Sequence, residues 1–175
     1  MANTFELISA VTVGAGGAAN ITFSSIPSTY TDLQLVMSLR CTRAVEFTQV
    51  GVRVNASSSA YGTNRWLQGD GAAASSSTST AQYLCYGSIW VSGANATASS
   101  FTSTQLYIPN YSGSADKSAS VDSVGEQNTA TGYQGLVAGI WNNSSAISSI
   151  ALTEPNGSTN FVQYSTAYLY GVKNA

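Results

Sequence analysis

The sequence predicts an all-β protein: a two-sheet antiparallel sandwich, with a jelly roll as its expected arrangement. Apolar and polar residues alternate with a period of two along most of the chain, and no segment carries a helical period. Turn signals return about every 8 to 14 residues, which favours a sandwich or barrel over alternating strands and helices. About nine or ten strands are expected, and a jelly roll is a common two-sheet arrangement for that number.

The clearest half-buried strand runs from Asp32 to Arg40, where Leu33, Leu35, Met37 and Leu39 alternate with polar or smaller residues. The first strand has the same pattern, which would place Phe5, Leu7, Ser9, Val11 and Val13 on one face. The same reasoning predicts further strands at Asn20–Ser25, Val50–Asn55, Tyr83–Val91, Ser99–Ile108, Lys117–Gln127, Tyr133–Trp141, Ala146–Thr153 and Ser165–Lys173.

One stretch of low complexity separates these predicted strands. It runs from Gly69 to Thr80 and reads GDGAAASSSTST. Glycine, serine and alanine without apolar alternation are typical of loops. The sequence therefore predicts a mobile surface loop here, after a short segment around Trp66 and Leu67.

The composition predicts one domain, residues 1–175, with an unusual surface. Hydrophobic residues make up 43% of the chain, enough to build a core, but only 8% of residues are charged. A typical domain has about 25%. Serine and threonine take the place of charges, and charged residues are depleted where interfaces bury surface. This composition favours a protein that packs against copies of itself.

The charge balance argues against nucleic acid as a partner, and the hydropathy pattern argues against a membrane. The formal net charge is −2, with only six lysines and arginines, too few to neutralise a phosphate backbone. No apolar run reaches the roughly 18 residues that span a bilayer. The first residues lack the basic segment of a secretory signal, so we expect the protein to accumulate in the cytoplasm of the cell that makes it.

The two cysteines, Cys41 and Cys85, each lie in an apolar, strand-like run. Two buried, reduced thiols are the favoured interpretation, and a disulfide between them is the alternative. Their separation along the chain does not match a metal-binding motif.

Catalytic residue types are scarce. Histidine is absent, which removes the usual nucleophile–histidine arrangements and the commonest metal ligands. Among eight carboxylates, Asp122 and Glu126 share a strand face and form the best candidate pair for a glycosidase. The favoured interpretation places both on a solvent face beside Lys117. The sequence therefore predicts no catalytic residues, no metal site, no cofactor and no enzymatic activity.

Tyrosine is the most conspicuous candidate for binding, with ten residues in the chain. Exposed tyrosine serves sugar stacking and protein interfaces equally, and it is also an ordinary strand residue. In the last strand, alternation places Tyr164, Tyr168 and Tyr170 on one face. We expect these three tyrosines to form part of a subunit contact.

Three segments together resemble small virion proteins of tailed bacteriophages, notably phages of cyanobacteria and other aquatic bacteria. They read FELISAVTVGAGGAANITFSSIPSTYTDLQLVMSLR, LYIPNYSGSADKSASVDS and FVQYSTAYLYGVKNA. The resemblance covers most of the chain and is weakest at 56–81 and 92–100. It implies a β-sandwich module of the capsid decoration (cement) or tail-fibre type, and it carries no catalytic or binding residue onto this sequence.

The sequence leads us to expect a non-enzymatic virion structural protein, made in the host bacterial cytoplasm. The leading hypothesis is a capsid decoration or cement protein, a homo-oligomer expected to be a trimer, which binds the major capsid protein or another virion protein and stabilises the assembled head. The alternative is a tail-fibre or receptor-binding module that recognises glycans on the host surface.

Overall fold

The chain is all β, as predicted. The computed structural model describes residues 4–59, 61–126, 128, 132–155 and 159–173, and these residues contain thirteen strands and no helix. The strands are β1 (Phe5–Thr12), β2 (Asn20–Phe23), β3 (Asp32–Leu39), β4 (Phe47–Gln49), β5 (Gly51–Val54), β6 (Gly62–Gly69), β7 (Ala74–Ala81), β8 (Trp90–Ser92), β9 (Thr102–Ile108), β10 (Lys117–Gly125), β11 (Tyr133–Trp141), β12 (Ile150–Thr153) and β13 (Thr166–Val172).

One large antiparallel sheet organises the molecule. It has eight strands in the order β1-β13-β3-β9-β10-β11-β6-β7. A three-stranded sheet, β2-β12-β5, and a two-stranded sheet, β4-β8, complete the fold. Every strand pair within the sheets is antiparallel. The arrangement is a β-sandwich with one large layer, while the jelly-roll topology stays a prediction.

The core lies between the large sheet and the smaller ones. Leu33, Leu35, Met37 and Leu39 of β3 are all buried, as their alternation predicted. They belong to one apolar cluster with the inward side chains of the three-stranded sheet: Ile21, Phe23, Val52, Val54, Ile150 and Leu152. Period-two alternation therefore directs one side of β3 into the core and leaves its other side facing outward.

The first strand departs from the prediction of one continuous face. The β1–β13 register shifts between Leu7 and Ser9, so a bulge interrupts the alternation. Phe5 and Leu7 are exposed, whereas Val11 belongs to the residues packed against the core. The five alternating residues thus do not share a face, because one extra residue reverses the direction of the side chains that follow.

The predicted mobile loop at 69–80 is wrong. Ala74–Ala81 forms β7, which pairs with β6 along its whole length. Asp70 makes the turn between them: its Oδ1 accepts hydrogen bonds from the backbone N–H groups of Ala72 (2.9 Å) and Ala73 (2.8 Å). The strand lacks apolar alternation because it is almost fully exposed on both sides. Threonine still favours extended backbone.

The apolar segment 83–91 is buried but is mostly not a strand, so that prediction is also wrong. Only Trp90–Ser92 forms regular strand, and Cys85 makes an isolated bridge with Val52. Side chains satisfy part of its backbone: Asn64 accepts from the N–H of Tyr86, and Ser123 accepts from the N–H of Trp90. A short apolar run predicts that a segment is buried, but it does not distinguish a strand from an irregular segment that crosses the core.

The remaining predicted strands hold with shorter bounds. Tyr133–Trp141 is found as predicted, and the strand that begins at Lys117 ends at Gly125; Gln127 lies outside the described residues. The strands that begin at Asn20 and Asp32 end earlier than predicted, at Phe23 and Leu39, and others begin later, for example at Thr102 and at Ile150. Cys41 and Cys85 are both buried and free, which confirms the reduced-thiol interpretation.

Candidate functional site

The outward side of the eight-stranded sheet, here called the outer face, is the broadest exposed surface built from regular strands. Strand register places residues in rows across it. One row runs through Ala10, Tyr168, Val36, Gln105, Asp122, Leu136, Leu67 and Ser76. Directly paired residues of adjacent strands point to the same side of a sheet. The register therefore determines which side chains share this surface.

The outer face carries much of the apolar surface that the protein leaves in water. Leu67 is 58% exposed and lies opposite Leu136, which is 47% exposed. The other large apolar side chains exposed there are Phe5, Leu7, Tyr107, Val124, Ile140 and Tyr168. Scattered exposed apolar residues are ordinary, but a set gathered on one regular surface marks an interaction site.

Few charges interrupt this surface. Within the strands, the charged residues on the outer face are Asp32, Arg65 and Asp122. Asp32 already accepts hydrogen bonds from the hydroxyl of Tyr107 (2.5 Å) and the N–H of Asn110 (2.8 Å). The hydrogen bond to Asp32 raises the pKa of Tyr107. The rest of the face is hydroxyl, amide and aliphatic, the composition of a surface that loses little on being desolvated.

The outer face is hollowed where β6, β7 and β11 meet. An open depression of about 690 Å³ lies over Arg65, Leu67, Ser76, Leu136 and Ala138, and a second of about 430 Å³ adjoins it. Aliphatic side chains and serine hydroxyls provide much of the lining of both. The surface is therefore concave and mixed in polarity at one end.

The three predicted contact tyrosines do not all lie within the last strand. Tyr168 and Tyr170 are on the outer face, opposite Val36 and Gln34 of β3. Tyr164 precedes β13, has a positive φ of 71° and is 68% exposed. Ala167 and Leu169 point inward and are buried. The alternation is as predicted, and the role of the tyrosines in a subunit contact stays a prediction.

The two residues of the candidate carboxylate pair are both exposed to solvent. Asp122 is exposed on the outer face, and Glu126 is exposed after β10 ends, where its Oε2 accepts from the N–H of Asn128 (2.9 Å). Lys117 does not lie beside them, because it is 1% exposed and donates to backbone carbonyls of Ala115 and Ser144. Over the described ranges, no group of three acidic, cysteine or histidine residues is placed to hold a metal.

Leu67, Leu136 and Ile140 of the outer face were not predicted from the sequence to take part in binding. A signal was present in β11, where Leu136 and Ile140 alternate with buried Val137 and Trp141. A strand that is apolar on both sides is covered on both sides or offers one side to a partner. In β11 the second side is exposed.

No family model matches the chain, and a search of curated proteins gives no match either. Among the described residues, no helix is long and apolar enough to cross a membrane. The candidate site is therefore defined by its geometry, as a broad, apolar, weakly charged sheet surface.

Proposed function

We propose that this chain is a non-enzymatic structural protein of a bacteriophage virion, a decoration or cement protein that binds the assembled capsid and stabilises it. The observation that carries the proposal is the outer face, with its gathered apolar side chains and few charges. The resemblance of three sequence segments to small phage virion proteins supports the virion assignment.

The outer face has the dimensions of a protein interface. Eight strands spaced about 4.8 Å apart, with about eight residues each rising about 3.3 Å, cover on the order of 1,000 Å². A standard protein interface buries about 800 Å² on each partner. A sheet surface of this size with exposed leucine, isoleucine and tyrosine fits a protein partner better than a small molecule.

Stabilisation of the head then follows from mass action. A protein that binds the assembled shell, and not its separated subunits, shifts the equilibrium toward the shell. The chain needs no catalytic group for this role, only a rigid surface of the correct shape. The eight-stranded sheet supplies that rigidity, because strands throughout its interior are hydrogen-bonded on both sides.

The central experiment mixes purified protein with capsids of the phage that encodes it. We expect saturable binding and a higher temperature of capsid disassembly. The double variant Leu67→Ser/Leu136→Ser should weaken binding at least about tenfold, while its own unfolding free energy changes by about 0.5 kcal/mol or less, as for other surface substitutions.

A control is Asn20→Ser/Thr22→Ser, which changes two exposed side chains of β2, in the three-stranded sheet and outside the outer face. This variant should bind capsids as the wild type does. If the double variant binds normally, the outer face is not the capsid contact. If the protein ignores capsids and labels host cells instead, the receptor-binding alternative with host glycans replaces the proposal.

A further inference from the structure

We propose that the free edge of β7 pairs with the same edge of a second copy of this chain. The two strands run antiparallel around a two-fold axis, so the large sheet continues from one subunit into the next. The inference goes beyond the capsid contact, which uses the outer face rather than the edge, and the two can fail separately.

The first observation is that β7 lies at the end of the sheet and that most of its residues are exposed. It pairs with β6 from Ala74 to Ala81 in an unbroken register, and no other strand in the described residues pairs with it. Every second residue of such a strand directs its N–H and C=O away from the sheet. An eight-residue edge of this kind is a template for another strand.

The second observation is that the opposite edge of the sheet is protected and this one is not. The strand β1 has a bulge between Leu7 and Ser9, and Glu6 pairs with Lys173 at 2.7 Å between Oε2 and Nζ. Bulges and charges are devices that discourage edge pairing. The strand β7 has no bulge, no charge and no proline. Only one of the two edges thus lacks the usual defences.

The third observation is that β7 fits a copy of itself. Its sequence, ASSSTSTA, contains only small and hydroxyl side chains. Only alternate residues direct their backbone groups outward, so a two-fold axis must place one residue directly opposite its own copy. For the pairing to be centred on the strand, that residue is Ser77 or Thr78. In either register, serine, threonine and alanine face one another across the axis. Hydroxyl pairs of this kind stabilise neighbouring strands.

This contact has a defined symmetry. The same edge is used by both partners, so the interface is isologous and closes after two copies. It gives a dimer in place of the trimer expected from the sequence. A trimer would require β7 to pair with a different surface of the next copy.

Sedimentation of the purified protein tests the inference. We expect a mass of 36.2 kDa, twice the 18.1 kDa of one chain. The variant Ser76→Lys/Thr78→Lys places lysine opposite lysine in both registers, and like charges directly opposite destabilise a strand pair. The dimer dissociation constant should rise about tenfold or more. The control Asn20→Lys/Thr22→Lys adds the same charges to β2, the edge of the three-stranded sheet, and should leave the dimer intact.

Amide hydrogen exchange in the wild type gives an independent measurement. Alternate amides between Ala74 and Ala81 should become protected as concentration rises through the dimerisation range. A monomer at all accessible concentrations, a trimer, or a dimer whose β7 amides stay unprotected would each overturn the inference. Capsid binding by a protein that sediments as a monomer would overturn it while leaving the proposed function standing.

Discussion

At the scale of single residues, Arg40 shows how one side chain organises a loop. Its Nη1 donates to the carbonyl oxygens of Thr97 (2.7 Å) and Ser100 (3.0 Å), and its Nη2 donates to the carbonyl of Ala96 (3.1 Å). These residues belong to the segment that leads from β8 to β9. The guanidinium group, with five donors in a fixed plane, suits such a cluster of carbonyls.

We expect Arg40→Ala to lower the free energy of unfolding by about 2 to 3 kcal/mol, because it removes hydrogen bonds from a charged donor and leaves carbonyl groups without a partner. Urea denaturation measures the effect. Arg65→Ala is the control, since Arg65 is exposed on the outer face, and its effect should stay within about 0.5 kcal/mol. Equal effects of the two substitutions would show that the hydrogen bonds of Arg40 do not stabilise the folded protein.

The buried thiol of Cys85 makes stability depend on pH in the alkaline range. Burial raises the pKa of this thiol, while its ordinary value is 9.0. Below that value both the folded and the unfolded chain hold the proton. Above it the unfolded chain loses a proton that the folded chain keeps, so the free energy of unfolding falls, by about 1.4 kcal/mol per pH unit.

Urea denaturation between pH 8 and about 10 should show this fall, and Cys85→Ala should make the slope shallower. The thiols of Cys41 and Cys85 should also resist alkylation until the protein is unfolded. A slope that is unchanged in Cys85→Ala would contradict this account, as would rapid alkylation of the native protein.

At the scale of elements, glycines in β11 let the buried segment 83–91 cross the large sheet closely. A Cβ at Gly139 would lie 2.0 Å from the carbonyl oxygen of Leu84 and 2.7 Å from the Sγ of Cys85. Real atoms do not approach so closely. Any side chain at Gly139 must therefore displace the segment from the sheet.

Gly139→Ala should lower the free energy of unfolding by about 2 to 4 kcal/mol, since forcing atoms into a packed interior costs this much. Gly14→Ala provides the control, because no atom lies within 4 Å of its Cβ position. Comparing the melting temperatures of the two variants separates the steric clash with Leu84 and Cys85 from the general effect of replacing a glycine. Similar melting temperatures for both would contradict the packing argument.

The same elements show what a sequence can and cannot specify. Alternation was sufficient for β3 and β9, where one side meets the core and a period of two is visible. It failed for Ala74–Ala81, which is exposed on both sides and so has no apolar side to alternate. It failed again for Tyr83–Val91, where burial on all sides leaves no polar position to reveal the direction of the chain.

At the scale of the whole molecule, the scarcity of charge predicts how its contacts respond to salt. The outer face has three charged strand residues, and one of them, Asp32, is already hydrogen-bonded. Capsid affinity should therefore change less than about threefold between 0.05 and 0.5 M sodium chloride, and sulfate should strengthen it. Isothermal titration at several salt concentrations measures this. A steep loss of affinity with salt would indicate a contact driven by charge.

The candidate site could be predicted only in part. Tyr168 and Tyr170 were placed on a shared face by alternation within one strand, and the structure puts them there. Leu67 and Leu136 are neighbours through the pairing of β6 with β11, across some 70 residues of chain. Local alternation carries no information on which strands become neighbours. Most residues of the outer face therefore could not be grouped into one surface before the order of the strands was known.

The pairing of the first strand with the last one has a mechanical consequence. Phe5 lies opposite Val172, so the chain enters β1 and leaves β13 at the same corner of the sheet. A pulling force applied at these two points breaks the hydrogen bonds between β1 and β13 one pair at a time. Strands separated in this way come apart at a lower force than strands pulled along their length, where all the hydrogen bonds between them must break together. Tension between the two points would thus peel β1 away first and leave the other seven strands of the sheet in place.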